Sequence, residues 1–159
     1  MRAATELALV LALASLGAAV TWKIAGPPSR EVFVTPCDPA AISADEICLA
    51  TVQSEWPDGS FLWIDARSEA EWKLDGVEGS MHLTTTSGLP FEQQVEASFE
   101  RLATAPRALV YCGSEACGTS KEVVKRLREF GMIPEIRALH GGWQALEQAG
   151  LVRSPSPAN

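Results

Sequence analysis

Apolar and polar positions alternate in blocks along the chain, and the blocks have two different periods. Phe61-Leu62-Trp63-Ile64 and Ala108-Leu109-Val110-Tyr111 are short continuous apolar runs, the pattern of strands buried on both faces. The second of them lies within a strand predicted over Arg107 to Tyr111. Met81-His82-Leu83 reads as another short strand, and Ile133 to Leu139 as a later one, weakened by Pro134 near its start. Between these runs the apolar positions recur at three and four residues. Val123, Val124, Leu127 and Phe130 mark one face of a helix that Thr119 opens and Gly131 ends. Thr119 and Glu122 have the spacing of a capping box, and Glu122 with Arg126, and Lys125 with Glu129, are spaced to pair on the wet face. Ser43 and Glu46 form a second box, predicting a helix over about 44–53, and Ser68 and Glu71 a third, opening a short helix that carries Trp72. Pro90 suits a first helical turn, with Phe91, Val95, Phe99 and Leu102 as one stripe behind it. Trp143, Ala145, Leu146 and Ala149 form a final helix closed by Gly150.

Strands thus alternate with helices, which predicts an α/β domain: a mostly parallel central sheet with helices on both faces. In such sheets ligands meet the C-terminal ends of the strands. Asp65 and Cys112 fall at such ends. Cys112 is the more informative of the two. It leaves a buried strand and enters a loop, Gly113, Ser114, Glu115, Ala116, Cys117 and Gly118, that leads into the helix of Thr119 and Ser120. The free N–H groups of that helix favour negative charge in the loop, and a thiol placed there is stabilised as the reactive thiolate.

The first 25 residues have a different character. No charge interrupts Leu7 to Trp22, and Glu6 and Lys23 bracket the run. It is a little short for a span of about 20 residues and a little long for a signal core of roughly 7–15. Trp22 and Lys23 suit an interfacial anchor, and Gly17-Ala18-Ala19 a cleavage site. A membrane anchor, a cleaved signal or a buried helix are the alternatives. The expectation is an anchor with the domain on the extracytoplasmic, periplasmic side, or secretion after cleavage. Residues 26–41 are a Pro-rich tether, 42–152 the domain, and 153–159 a disordered tail.

Composition narrows the classes further. A net charge of −7 without a Lys/Arg cluster argues against nucleic acid. Four cysteines and two histidines lack zinc spacing, so neither a metal nor a cofactor is expected. Cys37 and Cys48 are open to two readings, a disulfide in an oxidising compartment or two isolated thiols. Cys117 is either a small buried residue or a partner for Cys112, provided the Cα atoms approach within about 7 Å.

Four segments stand in order along the chain: Ile64-Asp65-Ala66-Arg67; Glu71-Trp72 with Val77-Glu78-Gly79-Ser80; Val110-Tyr111-Cys112; and Leu139-His140-Gly141-Gly142-Trp143. Together they resemble the rhodanese-like domain. The resemblance covers roughly Ile42 to Val152 and is closest to membrane-anchored members with a Cys-x4-Cys loop. It implies a rhodanese-like three-layer fold in which Cys112 carries sulfane sulfur as a persulfide. It also implies a small sulfur donor or thiol acceptor as partner, or a protein thiol or redox partner. Asp65, Arg67 and His140 are then supporting residues. This loop departs from the family pattern: Thr119 stands where an Arg is usual, Ser120 lies two positions further from Cys112, and Glu115 adds a negative charge. A dianion such as thiosulfate is therefore expected to be a poor donor. The alternatives are a thiol–disulfide oxidoreductase using Cys112 and Cys117, and a catalytically silent binding module.

Overall fold

The computed structural model describes Glu6 and residues 37–113 and 118–152. The chain divides into two units, Met1–Glu31 and Val32–Asn159. The predicted apolar anchor lies outside the described residues. Among those described, no helix is long and apolar enough to cross a membrane.

The elements run β1 (Glu46–Ile47), α1 (Leu49–Glu55), β2 (Leu62–Asp65), α2 (Glu69–Asp75), β3 (Met81–His82), α3 (Phe91–Ala97), α4 (Phe99–Thr104), β4 (Arg107–Tyr111), α5 (Thr119–Phe130), β5 (Glu135–Leu139) and α6 (Gly142–Gln148). The five strands form one parallel sheet in the order β1-β5-β4-β2-β3. The fold class read from the alternating pattern is the one observed. Because side chains alternate along a strand, β4 feeds two separate cores. Ala108, Val110 and Cys112 pack with Phe91, Val95 and Leu102 of α3 and α4 and with Val123, Val124 and Leu127 of α5. Leu109 and Tyr111 face the other way, among Leu49, Val52, Leu146 and Ala149 on the side of α1 and α6.

Adjacent strands β2 and β4 send their chains in opposite directions, β2 outward to β3 and β4 the other way to β5. Their C-terminal ends therefore diverge into a crevice, the usual ligand position in such sheets. Asp65 and Tyr111 are register partners at that edge, with Cys112 one residue beyond.

Three local expectations are corrected. The predicted helix over 44–53 begins only at Leu49, because Glu46 and Ile47 pair with Ala138 and Leu139 as an edge strand. Ser43 and Glu46 do bond, Oγ to Oε2 at 2.8 Å, but within a turn. The Thr119–Glu122 box does not form. Gly118 already has helical dihedrals, the Glu122 N–H donates to its carbonyl, and Glu122 instead pairs with Arg126. The single stripe behind Pro90 is broken at Ser98, so Phe91, Val95 and Leu102 are buried while Phe99 is 57% exposed. The Ser68–Glu71 box forms in both directions and opens α2.

Candidate active site

Cys112 leaves the central strand with its side chain 2% exposed. Its Sγ lies 3.3 Å from the Ser120 hydroxyl. Ser120 is the second residue of α5 and is itself buried. This serine stands against the sulfur although the sequence places it two positions further from Cys112 than the family pattern does. A thiolate here receives the Ser120 O–H, a charge-assisted bond that favours ionisation. On the other side, the Cys112 carbonyl accepts the Trp143 N–H at 2.6 Å. Two glycines make that approach possible. Gly141 and Gly142 both have positive φ, 78° and 52°, and fold the chain from β5 sharply back into α6. Gly113 and Gly118 flank the site loop. Ser114, Glu115, Ala116 and Cys117 lie outside the described residues, and with them the predicted Cys112–Cys117 partnership.

Asp65 and Arg67 form a buried ion pair beside this crevice. Arg67 Nη2 meets Asp65 Oδ2 at 2.8 Å, Nε meets Oδ1 at 3.1 Å, and the Arg67 N–H also donates to Oδ1. Nη1 reaches Asp75 at 2.9 Å. Burial works against the guanidinium charge, but the bonds and charges of Asp65 and Asp75 outweigh it and raise Arg67 above its ordinary value. The guanidinium also sits over the rings of Trp143, at 5.2 Å, and Tyr111, at 5.7 Å. Arg67 is thus spent on structure rather than held ready for a substrate anion. Asp75 and the Trp143 N–H escaped the sequence reading, because neither belongs to a local pattern that announces its partner.

Tyr111 turns to the opposite face. Burial pushes its phenol up to about 12, so the hydroxyl stays protonated while it accepts the Val77 N–H. His140 Nδ1 is 3.3 Å from Glu46 Oε1, and Lys121 Nζ is 2.9 Å from Glu46 Oε2. A groove of about 770 Å3 runs beside β3, lined by Trp72, His82, Thr86, Leu89 and Arg101 among others, and does not include Cys112. Among the described residues no three His, Cys, Asp or Glu side chains gather as metal ligands.

A parallel doubly wound sheet with a cysteine just past its central strand defines an α/β protein of the thiol-bearing kind. Residues 50–149 match the model of the rhodanese-like domain, and the chain belongs to that family. A crystal structure of a Bacillus halodurans protein superposes with a TM-score of 0.52 at 13% identity, covering 69% of this chain and 77% of that one. The solution structure of the rhodanese-like domain of an Anabaena sp. protein gives 0.49 at 23%, over 69% and 80% of the two chains. Thiosulfate sulfurtransferase of Pseudomonas aeruginosa gives 0.48 at 21%, over 67% of this chain and 19% of that one. The first of these shares the fold. No protein of curated function matches the chain.

Proposed function

We propose that this chain is a sulfurtransferase in which Cys112 carries sulfane sulfur as a persulfide. The observation that supports this most is the Cys112 Sγ held 3.3 Å from the Ser120 hydroxyl at the start of a twelve-residue helix. In the first step the Cys112 thiolate attacks the outer sulfur of the donor. A bond forms to Sγ, and the donor's own bond to that sulfur breaks with the electron pair leaving on the donor. In the second step an acceptor thiolate attacks the carried sulfur and Cys112 departs as thiolate. Ser120 and the helix N-terminus stabilise the negative sulfur in both directions.

Thiosulfate suits this site poorly. The loop contributes Glu115 and no Arg or Lys. The nearby cations Arg67 and Lys121 are committed to Asp65 and Asp75 and to Glu46. A persulfide or polysulfide on a small or protein thiol fits better. The domain is proposed to lie outside the cytoplasm on the N-terminal anchor, or to be secreted after its cleavage. The Cys37–Cys48 disulfide supports an oxidising compartment.

Mass spectrometry tests the chemistry. After treatment with a polysulfide donor, Cys112 is expected to gain one sulfur atom that a thiol acceptor removes, and Cys112→Ser is expected to abolish both steps. A Cys112–Cys117 disulfide formed instead would make the chain a thiol–disulfide oxidoreductase. An inert Cys112 would leave a binding module.

A further inference from the structure

We infer that Glu46 is a positioning residue for Cys112, although it lies before the part of the chain that matches the family model. This rests on the reading of Cys112 as the nucleophile. Glu46 stands on the two-residue edge strand β1, with the matched region beginning at residue 50. Its side chain is only 8% exposed, yet it is ionised. Burial opposes the charge, but Lys121, Ser43 and His140 outweigh it and bring the carboxyl down to about 2. A carboxylate this buried is tolerated only where its oxygens are well partnered.

The two oxygens serve two different walls of the site. Oε2 takes the Lys121 ammonium at 2.9 Å together with the Ser43 hydroxyl at 2.8 Å. Oε1 faces His140 Nδ1 at 3.3 Å. Two of these partners, Lys121 and His140, adjoin a group that touches Cys112. Lys121 directly follows Ser120, whose hydroxyl meets Sγ at 3.3 Å. His140 directly precedes the Gly141–Gly142 turn that brings the Trp143 N–H to the Cys112 carbonyl at 2.6 Å. One carboxylate therefore joins the first turn of α5 to the turn after β5, with Cys112 between them. An Ala at this position frees both walls. A Gln keeps one acceptor oxygen and loses the charge.

Alkylation of Cys112 by iodoacetamide across pH separates positioning from simple stapling of β1. The full chain is used after mild reduction, variants are checked for folding by circular dichroism, and fragment spectra locate the adduct. Glu46→Ala is expected to slow alkylation about tenfold, the size of one charge-assisted hydrogen bond, and to move the pH profile upward as Ser120 loses its register. Glu46→Gln falls between Glu46→Ala and wild type. In a Ser120→Ala background, the further loss from Glu46→Ala is expected to shrink to about threefold, since one of the two walls it holds is already released. A Glu46→Ala protein with a lowered melting temperature and a wild-type alkylation profile would overturn the inference alone. So would a loss undiminished by Ser120→Ala. An unreactive wild-type Cys112 would overturn the nucleophile reading, and this inference with it.

Discussion

Asp65 and Arg67 stand two positions apart, and their side chains close a ring through one carboxylate at the lip of the crevice. Asp65 is fully buried with Arg67 as its ionic partner, and Arg67 in turn is held by Asp65 and Asp75 together. Removing one partner of such a group leaves an uncompensated charge in a poorly solvated place. Asp65→Asn is therefore expected to cost about 3 kcal/mol, at the low end for a broken buried pair because Asp75 remains. Urea unfolding measures this as a lower midpoint with an unchanged slope, and a midpoint equal to wild type would show that the pair contributes nothing net. The sequence marked Asp65 and Arg67 only as supporting residues; the buried pair between them is seen in the structure. Asp75 was not legible. It reaches Arg67 only because α2 folds back over the strand end, which a linear pattern does not record.

Three segments share the spacing of a capping box, and they have three outcomes. Ser68 and Glu71 cap α2 as the pattern predicts. Ser43 and Glu46 bond in a turn, because β5 offers Glu46 and Ile47 a strand partner that outweighs a marginal helix start. Thr119 and Glu122 lose their box to a helix that begins one residue sooner. Capping contributes about 1 kcal/mol, so a neighbouring strand or an earlier helical turn is enough to redirect it. The end of α2 shows a tighter constraint. A Cβ placed on Gly76 would lie 2.6 Å from the Trp72 carbonyl oxygen and 3.0 Å from the Trp72 ring. The first contact is with backbone and cannot be relieved by a rotamer change. Gly76→Ala is expected to destabilise the domain by about 1–3 kcal/mol, the usual cost of overpacking. Thermal melts check this. An unchanged melting temperature would mean that the α2–β3 connection yields more readily than its geometry implies.

Across the whole molecule, Cys37 and Cys48 join the chain ahead of β1 to the first residue before α1, with Cα atoms 5.8 Å apart. Closing a loop of this length, eleven residues in separation, contributes ~3 kcal/mol by restricting the unfolded chain. Cys48→Ser is expected to lower the denaturation midpoint accordingly. A denaturation series with and without reductant gives the comparison, and identical curves would argue that the two thiols are not joined in solution. The amino-acid order determined the layered α/β class, the strand cores at Leu62–Ile64 and Arg107–Tyr111, and Cys112 at a strand end. Each of these follows from periodicity, which local burial writes directly into the chain. The tertiary structure decided which of the two readings held for Cys37 and Cys48, which capping boxes closed, and where the Phe91–Leu102 stripe broke. It also decided that Ser120 meets Cys112 despite the longer loop, and that Glu46 gathers Lys121 and His140 beside it. The physical reason is common to all of these. They are pairings between residues distant in sequence, and their free energy exists only once the sheet has brought their elements together.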